Sequence, residues 1–309
     1  MNIVALAGGV GAARMLRGLA SAADSRGITA IVNTADDFVH HGLHISPDLD
    51  TVCYTLSGLV DEATGWGVAG DTTACLDMLA RLGQETWFRL GDRDLAVHLT
   101  RTRLLGEGLP LSAVTDHIRA ALGIHMRVIP ATDDSIATEI DTPEETIPFQ
   151  EYFVRRGCRD TVRGVRFRGA EDARPAPGVC EAIEAAAGIV ICPSNPIVSI
   201  APILSIPGIE DAIARCKAPV VAITPLIGGK TVKGPADRML RDLGKEASAT
   251  GVARLYAKLA TAFVLDTVDE AERGDVEGLG MRVLVRDTLM SGPPQARDLA
   301  DAVIGLLEA

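Results

Sequence analysis

Six near-continuous apolar runs recur along the chain: Ile3–Ala7, Ile28–Asn33, Gly188–Cys192, Ala218–Thr224, Ala262–Val268 and Met281–Asp287. Between them lie stretches of helical spacing. Runs of Val, Ile, Ala and Leu without polar alternates suit strands whose two faces are both covered by helices. The pattern predicts a doubly wound, mostly parallel α/β sheet of six strands, with ligands at the C-terminal strand ends. Helices are expected after the first strand, from Pro47, at Asp71–Leu82, around Asp92–Leu105 and at Pro294–Leu307. From Gly123 to Pro177 the period drops to two, in MRVIPA, IATEID, PFQEYFVRRG and VRGVRFRG. That alternation predicts half-exposed antiparallel strands. The expected organisation is a core of residues 1–122 and 179–309 with a small β-rich insertion at 123–178.

Composition narrows the function classes. The 309 residues are 47% hydrophobic and 23% charged, with a net charge of −11. A disordered chain is excluded. So is a nucleic-acid partner, which needs a basic surface to displace counterions. Six scattered cysteines form no C-x-x-C pair, so neither a zinc site nor a disulfide frame is expected. No apolar run approaches bilayer length, and a cytoplasmic, membrane-free protein is the expectation.

The chemistry begins at IVALAGGVGAARMLR, Ile3 to Arg17. A strand, a glycine turn and a helix start present bare backbone N–H groups to an anion. The turn is not a dinucleotide fingerprint, because Arg14 stands at the third small position. Asn33-Thr34 also replaces the ribose-binding acid. Nor is there a Walker A loop: Gly229-Lys230-Thr231 imitates its end, but Thr224 holds the place of its first glycine. Gly9, Val10 and Gly11 therefore read as a phosphate cradle of another kind.

After the second strand, NTADDFVHHGLHISPDLDT carries Asp36, Asp37, Asp48 and Asp50 with His40, His41 and His44. Ser46 and Pro47 fit an N-cap and a first helical position, so Asp48 reads as a dipole-serving first-turn acid. The pair Asp36-Asp37 at a strand exit suits a Mg²⁺ ion bridging phosphate oxygens. The histidines have no metal-ligand frame. In WFRLGDRDLAVHLTRT, Arg89 sits before a helix and can reach a ligand, whereas Asp94 and His98 read as an i,i+4 pair on a solvated face. Ser194 and Asn195, in a proline-rich loop at a strand end, offer short hydrogen-bonding groups for phosphate or a base edge. Lys230 and Lys233 in a glycine-rich loop suggest a second anion contact.

Together these segments resemble the 2-phospho-L-lactate transferase family of coenzyme F-420 biosynthesis. The match runs through LAGGVGAAR, VNTADDFVHHGLHISPDLDTVCYTLSG, WFRLGDRDLAVHLTRT, FQEYFV, PSNPIVSIAPIL and GGKTVKGPAD, in order along nearly the whole chain. The resemblance implies a Rossmann-like core, a Mg²⁺ requirement and a homodimer. It implies attack by the ribityl hydroxyl of the deazaflavin Fo on a guanosine-diphosphate-linked three-carbon acid, with release of GMP and formation of F-420-0 or an analogue. The acid would be 2-phospho-L-lactate, phosphoenolpyruvate or 3-phosphoglycerate. By position, Asp50 and Arg89 would contact the deazaflavin. Gly9 to Gly11, Asn33, Ser194, Asn195 and Lys233 would serve the nucleotide and diphosphate. Asp36, Asp37 and Asp50 would form the acidic cluster for metal and hydroxyl. A related group of non-enzymatic UDP-sugar-binding regulators is the alternative. Those proteins follow the Asp pair with a Gly-Gly-Ser-Ser type loop, where this chain has Phe38-Val39-His40-His41 and then PDLDT.

Overall fold

Every residue of β1 (Ile3–Ala7) is buried, and its side chains divide between two apolar cores. Ile3, Ala5 and Ala7 join one core, Val4 and Leu6 the other. Such a strand needs cover on both faces, which places it at the centre of a sheet. The computed structural model describes residues 1–309.

Next to β1 runs β2 (Ile28–Val32), followed by a short hairpin of β3 (Phe38–His40) and β4 (Leu43–Ile45). The chain later adds β5 (Arg127–Pro130). A separate antiparallel sheet contains β6 (Ala137–Asp141), β7 (Thr146–Pro148) and β8 (Gly164–Arg168) in the order β7-β6-β8. The main sheet resumes with β9 (Gly188–Ile191) and β10 (Val220–Ile223). A ribbon of β11 (Leu226–Ile227) and β12 (Lys230–Thr231) then precedes β13 (Ala262–Leu265) and β14 (Arg282–Val285). The central order is β14-β13-β10-β9-β1-β2-β5, parallel throughout. From β1 the chain winds outward through β2 and β5, and from β9 outward the other way. The reversal opens a crevice between the exits of β1 and β9, where such sheets hold their ligands.

The fold class is the expected one, with a correction to the strand count. The sheet has seven strands because MRVIPA does not belong to the insertion. Its Arg127–Pro130 pairs in parallel with β2, from Thr29 opposite Arg127 to Val32 opposite Pro130. An exposed Arg127 and a terminal proline make the run look half-exposed, yet both are tolerated on an edge strand. The segment PFQEYFVRRG also departs from expectation. After β7 it makes a helical turn, Glu151–Arg155, which lets the rings of Phe149 and Phe153 stack 5.4 Å apart. The β-rich region shares the core of one sheet face, through Ile136, Ile140, Ile147, Tyr152 and Val162.

On the other face α1 (Gly9–Ala22) packs against the C-terminal helix Pro293–Glu308. A β-carbon on Gly18 would lie 2.2 Å from the Ala296 carbonyl, so this crossing admits only glycine. α2 (Pro47–Leu56) follows β4, and α3 (Ala74–Arg81), α4 (Asp92–Gly106) and α5 (Leu111–Ala121) lead to β5. α3 starts later than Asp71 because Asp71 caps a different helix. Its carboxylate accepts from the Arg93 and Asp94 N–H groups of α4, while Asp92 accepts from Ala74 and Cys75 of α3. No single helix is long and apolar enough to cross a membrane.

Candidate active site

The crevice opens into a cavity of about 680 Å³. Its glycine turn is built by close approach. Gly9 takes φ of +68°, which favours glycine. A β-carbon on Gly8 would stand 2.7 Å from Ser199 Cβ and 2.9 Å from Asp48 Oδ2. One on Gly11 would stand 2.2 Å from the Pro193 carbonyl oxygen. The loops leaving β1 and β9 thus touch, and the Gly8 N–H donates to Ser194 Oγ at 3.3 Å. α1 has neither a side-chain cap nor an acidic residue in its first turn. The Gly9 N–H turns to Asp48, and the N–H groups after it are left for an anion in the cavity.

Four carboxylates line the same cavity, and two of them, Asp36 from the exit of β2 and Asp48 from the first turn of α2, act on each other. Asn33 supports them. Its side-chain amide donates to Asp48 Oδ2 at 3.0 Å and to the Val198 carbonyl at 3.4 Å, and its side-chain oxygen accepts from Ala35 N. Burial, then the neighbouring Asp48, drives the Asp36 carboxyl well above the usual carboxylate range. Burial also raises Asp48, against the Asn33 amide and the Gly9 backbone. Asp36 Oδ1 is buried without a hydrogen-bond partner. Buried acids that lack a counter-charge suit a cation.

The expected metal set of Asp36, Asp37 and Asp50 is not assembled. No three His, Cys, Asp or Glu side chains converge to hold a metal ion. Asp37 does not line the cavity, and it accepts from Ser46 Oγ at 2.6 Å. Ser46 thereby gives up the side-chain capping expected of it. Burial raises the Asp37 carboxyl despite that hydroxyl. Asp50 lines the cavity but is paired with Arg101, whose Nη1 donates to Oδ2 at 3.1 Å and whose Nη2 donates to Oδ1. Asp94, also in the lining, is held by Tyr54 and His98, so Asp36 and Asp48 remain. They fit Mg²⁺, which is commonly held by one or two carboxylates with phosphate oxygens and water completing its octahedron.

Asp48 is the residue that sequence reasoning dismissed. Residues two apart on a helix do not face each other, so Asp48 turns to the glycine turn and Asp50 to α4. The solvated face expected at Asp94 and His98 is also corrected. His98 and Arg101 are 1% and 2% exposed. His98 Nδ1 lies 3.6 Å from Asp50 Oδ2, and its Nε2 lies 3.2 Å from Asp94 Oδ1. Tyr54 donates to Asp94 at 2.5 Å. The signal was the spacing of Asp94, His98 and Arg101, at i, i+4 and i+7 on one helix face.

The remaining expected residues distribute around the cavity. Gly9, Val10, Gly11, Arg89, Ser194, Asn195 and Lys233 line it, whereas Asn33 is fully buried behind it. Asn195 spends its side-chain oxygen on the Ile197 and Val198 N–H groups and keeps only its amide for other contacts. Lys233 faces Arg14 across the same cavity, and burial, then Arg14, lowers its pKa. Trp66, Trp87, Phe88, Phe149 and Phe153 give the cavity a broad aromatic wall. The rings of Phe38 and Phe88 meet edge to face behind it, 4.8 Å apart. One part of the cleft is thus suited to phosphates and another to a flat ring system.

The comparisons with known proteins agree with this architecture. The family described as 2-phospho-L-lactate transferase CofD matches residues 3–280. A phosphoenolpyruvate transferase of Streptomyces griseus is 44% identical, over 100% of this chain and 99% of its own. A 2-phospho-L-lactate transferase of Methanosarcina acetivorans is 38% identical, over 99% of each chain. Among solved structures, a Bacillus halodurans protein of the UPF0052 family superposes with a TM-score of 0.66 at 16% identity, covering 98% of each chain, and shares the fold. With the match running from β1 past β13, through the glycine turn, the aspartates and the strand-end loops, the chain belongs to the 2-phospho-L-lactate transferase family.

Proposed function

We infer that the protein transfers a phosphorylated three-carbon acid from its guanosine-diphosphate-linked donor to the terminal ribityl hydroxyl of the deazaflavin Fo. GMP is released, and F-420-0 or an analogue forms. One observation carries this reading: a single cleft joins a capless helix N-terminus and two buried carboxylates to an aromatic wall. A diphosphate suits the first part and a tricyclic deazaflavin the second. The relatives are named for transfer of phosphoenolpyruvate or 2-phospho-L-lactate, and the donor acid is one of these or 3-phosphoglycerate.

In the proposed reaction the Fo hydroxyl oxygen forms a bond to the phosphorus bearing the acid. The bond from that phosphorus to the bridging oxygen breaks, GMP departs with the electron pair, and the hydroxyl proton is released to solvent. Little covalent chemistry is asked of the protein, so positioning and charge neutralisation dominate. The N–H groups of Val10 and Gly11, with Lys233 and Arg14, neutralise the diphosphate. Asp50 accepts the hydrogen bond of the attacking hydroxyl and orients it. Asp36 and Asp48 would hold Mg²⁺, which when bound offsets charge on the phosphate oxygens.

The test is turnover with Fo and each of the three guanylylated acids, followed by GMP release and product mass. A phosphodiester of Fo with one acid is expected, together with loss of turnover in EDTA and recovery on adding Mg²⁺. No product from any of the three donors would overturn the reading.

A further inference from the structure

Asp50 is gripped from behind. Arg101 makes a two-pronged contact with its carboxylate, yet Arg101 is itself buried and does not line the cavity. His98, three residues earlier on α4, lies 3.2 Å from Arg101 Nη1 and 3.6 Å from Asp50 Oδ2. Asp94 and the Tyr54 hydroxyl close the network on the far side of the imidazole. Arg101 Nη1 also donates to the His44 carbonyl at 3.4 Å, tying the guanidinium to β4. Nη1 is thus held by β4, and the imidazole by Asp94.

Two other cavity carboxylates have no such partner. Asp36 and Asp48 are served by neutral groups, whereas Asp50 has a full guanidinium charge against it. A carboxylate held by a planar fork keeps one plane while still offering lone pairs to a third group. An ion seeking charge would favour the uncompensated pair.

We propose that Arg101 is a positioning residue, locking Asp50 as an oriented acceptor for the attacking hydroxyl. The proposal rests on the role given to Asp50 above, and its test separates the two. Asp50→Asn, Arg101→Met and the double variant are compared for GMP release with Fo, using the guanylylated acid that supports turnover. The kcat, the KM for Fo and the half-saturating Mg²⁺ concentration are measured, with folding checked by thermal melting.

Arg101→Met is expected to lower kcat about 100-fold, with the Mg²⁺ requirement unchanged. In the Asp50→Asn background it should cost nothing further, because both substitutions break one unit. Should Arg101→Met fail to fold, the double variant removes both charges together and is expected to match Asp50→Asn. Losses that multiply, or a roughly tenfold shift in the Mg²⁺ requirement, would overturn the proposal. Asp50→Asn inactive beside an unimpaired Arg101→Met would overturn the positioning alone. Wild-type turnover by Asp50→Asn would overturn the role of Asp50 itself.

Discussion

The side-chain amide of Asn33 donates to Asp48 Oδ2 at 3.0 Å, joining the exit of the second strand to the first turn of α2. Asn33 stands where a dinucleotide-binding fold would carry a ribose-binding acid, but here it holds a carboxylate in place. Asn33→Ala is expected to lower kcat about 10- to 100-fold, the usual loss when the support of a ligating group is removed. Asn33→Asp should do worse, by adding a third buried acid beside Asp36 and Asp48. Steady-state rates with saturating Fo check both, and wild-type rates in Asn33→Ala would remove Asn33 from the machinery.

Asp48 carries a stability cost at neutral pH, because burial pushes its carboxyl up to about 6. Asp48→Asn keeps an acceptor for Asn33 and removes the charge. In EDTA at pH 8 this variant should be more stable than the parent by about 2 kcal/mol, read by urea denaturation. Turnover should nevertheless be lost, the usual exchange of stability for function at a site built to meet a cation.

Asp50→Ala should impair the fold as well as the reaction, since it leaves Arg101 charged and buried without its partner. A loss of about 3–5 kcal/mol is expected for a broken buried pair. Asp50→Asn should retain more stability by keeping hydrogen-bond acceptance toward the guanidinium. Equal melting temperatures for the alanine variant and the parent would contradict the buried pairing.

Gly11→Ala tests the contact between the two strand-end loops. Its β-carbon would lie 2.2 Å from the Pro193 carbonyl oxygen, and neither backbone can yield without moving a cavity wall. Destabilisation of about 1–3 kcal/mol is expected, with weakened GMP binding measured by calorimetry. A variant that binds GMP as tightly as the parent would place the nucleotide elsewhere.

His44 supplies a pH dependence. Burial, with Arg101 nearby, lowers its pKa to about 4. Unfolding returns it to an ordinary imidazole, so between pH 6.5 and 4 the unfolded chain takes up a proton that the folded chain refuses. Stability should fall as pH drops through that window, by roughly 2–3 kcal/mol from this group. His44→Gln should flatten that part of the profile in urea titrations at pH 7, 6 and 5.

The division between sequence and tertiary structure follows from the range of the forces involved. Apolar runs fixed the α/β class and six of the seven central strands, because burial on both faces leaves a local signature in Val, Ile and Ala. The glycine turn was legible for the same reason, since backbone conformation and close approach restrict the residue itself. Arg127–Pro130 was not, because an edge strand is buried by only one neighbour and its pattern imitates a half-exposed hairpin. Within the site, Asp36 and Asp48 resemble any loop or first-turn acids until the fold brings them to one cavity. The Asp50–Arg101 pair spans 51 positions of sequence, and no local pattern distinguishes a buried guanidinium from a solvated one. Desolvation and charge pairing act between elements, so only the packed structure decides which acid awaits a cation and which is already matched.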